Sequence, residues 1–100
     1  MPSYRVVITI GSLAAGVDPA AVVPAAGEAA AALTTLEAGG IAVVRGEPRI
    51  TIRFTGVDDA EAAEVSTAVI DTVRTMAALE RAQILRLTRG RWIRIHDVLR

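Results

Sequence analysis

Two stretches with helical spacing separate short β-branched runs, in the order strand, helix, strand, strand, helix, then strand or hairpin, and few architectures accept that order. Tyr4, Val6, Ile8 and Ile10 alternate with Arg5, Val7 and Thr9, which predicts a strand from Tyr4 to Ile10 with one fully apolar face, stopped by Gly11 and Ser12. The segment from Ser12 to Val23 is irregular, with Gly16 and Asp18-Pro19 as turn or helix-start signals. Pro24 fits a first helical turn, so a helix is expected from there to Ala38, with Gly39 and Gly40 as its stop. Its inner stripe, Ala26, Ala29, Ala30, Leu33 and Leu36, is mostly of small residues.

A hairpin is expected next: Ile41 to Arg45, a turn at Gly46-Glu47-Pro48, then Arg49 to Thr55 with Ile50, Ile52 and Phe54 on one face. Asp58 with Glu61 three residues later has the spacing of a capping box, and Val57 stands where a hydrophobic staple begins. The second helix therefore starts there, with Ala62, Val65, Val69, Val73 or Thr72, Met76 and Leu79 inward. Its helical spacing either runs on to Leu87 or breaks near Arg81. The preferred reading is the break, giving a last strand pair, Ile84 to Thr88 and Arg91 to His96, around an Arg89-Gly90 turn, with 97–100 as a frayed tail.

The βαββαβ order resembles the ferredoxin-like arrangement, an α+β two-layer sandwich with two helices on one face of an antiparallel sheet, here with a possible extra C-terminal strand. That resemblance is one of pattern and implies no activity. A chain of 100 residues with 52% hydrophobic and 22% charged residues has the size and composition of one domain with a single core. Cysteine is absent, which excludes disulfides and thiolate chemistry within these residues and fits a cytoplasmic setting. All 11 basic residues are arginine, which together with the alanine excess points to a GC-rich, bacterial genome. The alanine-rich run from Leu13 to Leu33 is interrupted by Asp18, Pro19, Pro24 and Glu28, so no membrane partner is expected.

Function has to be sought on the face the helices leave bare. If they cover Tyr4, Val6, Ile8, Ile10, Ile50, Ile52, Phe54, Ile93 and Ile95, the two-residue period puts Arg5, Val7, Thr9, Thr51, Arg53, Thr55, Trp92, Arg94 and His96 on the other side. Such a face is either plainly solvated or an interface, since tryptophan and arginine are the residues that anchor interfaces. Arg5, Thr51, Arg53, Trp92, Arg94 and His96 are the expected contact residues of a binding or regulatory module that forms a homodimer or docks another protein.

Two alternatives stand beside that reading. One is a small cofactor-independent enzyme, with a pocket formed by a dimeric sheet and lined by Arg53, Trp92 and His96 together with an acid. The other is weak nucleic-acid binding through the arginine-rich C-terminal segment, disfavoured because Tyr4 and Phe54 belong to the covered side and cannot stack bases. Charge is unevenly spread: Asp58 to Glu80 carries six acids against Arg74, and Arg81 to Arg100 carries six arginines against Asp97. Local cancellation between these consecutive segments is the simplest expectation.

No catalytic, cofactor or metal site is expected. Gly11 to Gly16 has the glycine spacing of a phosphate loop but continues as Val17-Asp18, without the lysine and hydroxyl that such a loop needs. His96 is the only histidine, and Ser12 and Ser66 have no visible base partner. Asp58, Asp59, Glu61 and Glu64 read as a helix start, where carboxylates favour the helix dipole, rather than as a metal cluster.

Overall fold

The computed structural model describes residues 1–97. Its framework is an antiparallel sheet of five strands: β1 (Ser3–Leu13), β2 (Leu36–Val44), β3 (Glu47–Thr55), β4 (Ala77–Thr88) and β5 (Arg91–Asp97), in the spatial order β2-β3-β1-β4-β5. Two helices, α1 (Val22–Ala31) and α2 (Asp59–Arg74), share one core with a single face of the sheet, so the protein is an α+β domain in two layers. Neither helix is long and apolar enough to cross a membrane.

The alternation along β1 and β3 fixes which face the helices cover. Tyr4, Val6, Ile8, Ile10, Ile50, Ile52 and Phe54 are all buried, and they meet Val22, Ala26 and Ala30 of α1 and Ala62, Val65, Val69, Ile70 and Val73 of α2. The small residues of α1 let it lie close to the sheet. Ile84 of β4 is buried on the same side, opposite Val6. Ile93 and Ile95, expected under the helices, are exposed and half-buried respectively, because β5 forms the sheet edge.

β1 runs on through Gly11 and Ser12, its expected stop, to Leu13, and α1 starts at Val22 instead of Pro24; three larger differences from expectation stand beside these. The first helix ends at Ala31, not Ala38, and Leu36 to Gly40 are strand. Thr34 turns the chain: its N–H reaches back to the Ala30 carbonyl at 3.0 Å, and its hydroxyl donates to the Thr55 carbonyl at 2.8 Å, tying the new strand to the end of β3. Gly39 then serves close packing instead of a helix stop, since a Cβ there would lie 3.2 Å from Ile52 Cδ1. Leu33 and Leu36 accordingly leave the expected inner stripe and are exposed.

The second difference is in the hairpin. Its turn is Arg45-Gly46, one step earlier than expected, with φ of 53° and 80°. Both central residues at positive φ give the two-residue turn that follows the strands' own twist. Arg89-Gly90 repeats the device between β4 and β5, with φ of 51° and 77°, as expected from the sequence. Pro48 lies within β3.

The third difference is the early start of β4. The helix stops at its Thr75 cap, and Ala77 to Arg81 pair with the long β1, through Leu13↔Ala77, Ile10↔Leu79 and Thr9↔Arg81. Pairing with the central strand outweighs the helix propensity of Ala-Ala-Leu-Glu-Arg. The start of α2 is as expected: Asp58 accepts the Glu61 N–H at 2.9 Å, and the Glu61 carboxylate accepts the Val57 N–H at 3.0 Å. Asp97 belongs to β5 instead of a frayed tail, and the remainder of that tail, 98–100, lies outside the described residues.

Candidate interaction surface on the open face of the sheet

Cross-strand partners share a face, so the register assembles the uncovered side residue by residue. Arg5 lies opposite Arg53, Val7 opposite Thr51 and Thr9 opposite Arg49 between β1 and β3. On the other flank of β1, Arg5 faces Leu85 and Val7 faces Gln83, while β5 sets Trp92 opposite Leu87 and Arg94 opposite Leu85. Beyond β3, the register of the edge strand β2 turns Ala38, Gly40 and Ala42 to this side.

The long side chains bridge the strands. Trp92 stands three strands from Arg53, yet the Arg5 and Arg53 guanidinium carbons lie 4.4 and 5.2 Å from the centroid of its ring. Adjacent strands are about 4.8 Å apart, so these contacts require the indole and both arginines to reach over the sheet. A cation this near an aromatic ring is attracted by its quadrupole. Arg53 also donates from Nε to Glu37 Oε1 at 3.1 Å.

Arg5 is placed differently from Arg53. It forms no ion pair among the described residues, and its Nε is buried without a hydrogen-bond partner. Burial, followed by the repulsion of Arg53, holds its guanidinium below the usual arginine range. The Arg49 Nε, on the same face, is likewise buried and unpartnered. Arg5, Thr51, Arg53 and Trp92, with Ala38, Gly39 and Gly40 from β2, line a groove of about 280 Å³.

The structure thus brings together Arg5, Thr51, Arg53 and Trp92 of the expected contact residues. Arg94 shares their face but not the groove, and its Nη1 lies 3.9 Å from Asp97. His96 is on the other side of the sheet. A β-bulge at Ile95 shifts the register of β5 by one residue, so His96 faces Ile84 on the helix-covered side. There it lines a separate recess of about 310 Å³ with Asp59, Ala60, Ala63, Ile84 and Ile95. The pocket required by the enzyme alternative, with Arg53, Trp92 and His96 together, is therefore divided between two faces of this chain.

Sequence reasoning missed Arg49, which strand parity alone puts beside Thr51, and the small residues of β2, which it assigned to a helix and its stop. It also missed a polar cluster at the start of α2. Asp59 accepts from the Tyr4 hydroxyl at 2.8 Å and from Arg86 Nη1 at 2.8 and 2.6 Å. Burial and this bond push the Tyr4 phenol up to about 12, while the Arg86 bond, then the Tyr4 bond, hold the Asp59 carboxyl below its usual range. The acidic helix and the basic C-terminal segment meet at that contact.

No group of three or more acidic or histidine side chains is arranged for a metal ion among the described residues. The groove instead offers guanidinium donors, a hydroxyl and an indole, which suit recognition of anionic and flat groups. Comparison with protein-family models, with curated proteins and with solved structures finds no match.

Proposed function

We propose that this protein is a small non-enzymatic binding module that associates with a second copy of itself, or docks another protein, through the open face of its sheet. The observation that carries this reading is Trp92 held against two arginines on a face no helix covers. Half-buried Val7, Leu85 and Leu87 share that face and supply apolar area around the indole. Tryptophan and arginine already ordered by their neighbours lose less side-chain freedom on association.

The order of the first four strands, with β1 and β3 between β2 and β4, supports a ferredoxin-like reading of the fold in which β5 is an addition at the β4 edge. That addition supplies Trp92, so the surface depends on it. A cytoplasmic setting fits a chain without cysteine.

Light scattering over a wide concentration range tests the proposal. The wild-type mass is expected to rise towards that of a dimer, and Trp92→Ala or Arg53→Glu is expected to hold the protein monomeric while its thermal unfolding stays cooperative. A monomer at every concentration, unaltered by either substitution and retained by no partner, contradicts it.

A further inference from the structure

We propose that the groove over Trp92 is an oxyanion site, in which Arg5 and Arg53 together take up one carboxylate or phosphate group. The inference rests on the open face being the working surface and names the chemistry it recognises. Three observations converge on it. Like charges directly opposite each other on neighbouring strands are unfavourable, yet Arg5 and Arg53 are direct partners in the register. Glu37 compensates Arg53, but Arg5 has no carboxylate among the described residues and a buried Nε–H without an acceptor. No acid lines the groove.

An oxyanion supplies the negative charge that this pair of like charges lacks, since a guanidinium donates in a planar fork that fits carboxylate and phosphate. The indole holds both guanidinium groups in place without satisfying their N–H donors. Thr51 adds a hydroxyl, and Gly40, opposite it and without a side chain, leaves room for approach. At about 280 Å³ the groove is just below the usual span of small-molecule pockets, about 300–1,000 Å³, so it suits a single anionic group on a short body, not a large cofactor. That group belongs either to a free small anion or to an acidic side chain of a second copy.

Trp92 is the only tryptophan, so its fluorescence reports on this groove alone. Titration with inorganic phosphate, at ionic strength held constant with sodium chloride, is expected to give a saturable change in emission. Arg5→Gln should weaken it about tenfold or more, as expected for loss of a charged hydrogen bond, and Arg91→Gln, at the exposed start of β5 and outside the groove, should leave it unchanged. A response that chloride reproduces, or one equally tight in folded Arg5→Gln, overturns the site.

If Arg5→Gln does not fold, Gly40→Val carries the same test. A Cβ at Gly40 meets nothing within 4 Å, so valine narrows the groove and leaves both charges in place. Weakened phosphate binding in this variant supports the site, and unchanged binding overturns it.

Light scattering on the same samples separates the two sources. A mass unaffected by saturating phosphate assigns the groove to a free anion, and a falling mass assigns it to a carboxylate of the second copy. A protein that self-associates yet ignores phosphate refutes the oxyanion site and leaves the association reading standing. One that binds phosphate but remains monomeric does the reverse.

Discussion

The two faces of the sheet are built from alternate residues of the same strands, yet they are completed in different ways. Under the helices, Val6, Ile8, Ile50, Ile52 and Phe54 are wholly buried by other parts of the chain. On the open side, Arg5, Val7, Thr51, Arg53 and Trp92 are only half-buried, and the long side chains cover one another. One face is closed by hydrocarbon supplied from α1 and α2. The other is ordered by amphipathic side chains, two of which, Arg5 and Arg49, keep a buried Nε–H without a partner. The first should therefore carry the stability, and the second the binding.

The largest expected effect contrasts the two faces within β3. Phe54→Ala should cost about 3–5 kcal/mol in urea unfolding, whereas Thr51→Ala, three residues away on the open side, should fall within about 0.5 kcal/mol. Equal losses would remove the distinction. Next in size is a pH effect confined to the covered face. The Tyr4 phenol, pushed up to about 12 from its ordinary 10, is held protonated in the folded state, so its stabilisation is complete below pH 10 and is lost as pH rises towards 12. Asp59 acts in the opposite sense: its lowered pKa stabilises the fold above its ordinary 3.8, and that contribution fades as pH falls below it. Ultraviolet titration of the single tyrosine, together with melting curves across both ranges, checks these signs. A Tyr4 that titrates at its ordinary value in the folded protein would contradict the burial of its hydroxyl.

The smallest of these effects belongs to neither face. Asp58→Ala removes the side chain that caps α2 and should cost about 1 kcal/mol, with no change in how the open face behaves. A larger loss accompanied by altered association would mean that α2 supports the open face after all.

How far these features are legible in the sequence depends on whether each strand has one buried face. β1 and β3 do, and their alternation locates the core and the opposite surface. Leu36 to Val43 are exposed on both sides of an edge strand, so no alternation marks them, and Gly39-Gly40 reads as a helix stop. Ala77 to Arg81 carry helix formers, and only the length of β1, which the sequence does not announce past Gly11, makes them a strand. The open face was legible at Arg5, Thr51, Arg53 and Trp92 because parity runs unbroken through them. It failed at His96, where one extra residue at Ile95 reverses every side chain beyond it. A bulge leaves no signal in residue type at that position.

The claim that molecules meet on the open face is tested most directly by acrylamide quenching of Trp92 at increasing protein concentration. The quenching constant is expected to fall as the mass measured by light scattering rises, because the indole becomes covered. A mass that rises while quenching stays constant would place the contact elsewhere, as on the β2 edge where Ile41 and Val43 are 57% and 71% exposed, and would contradict it.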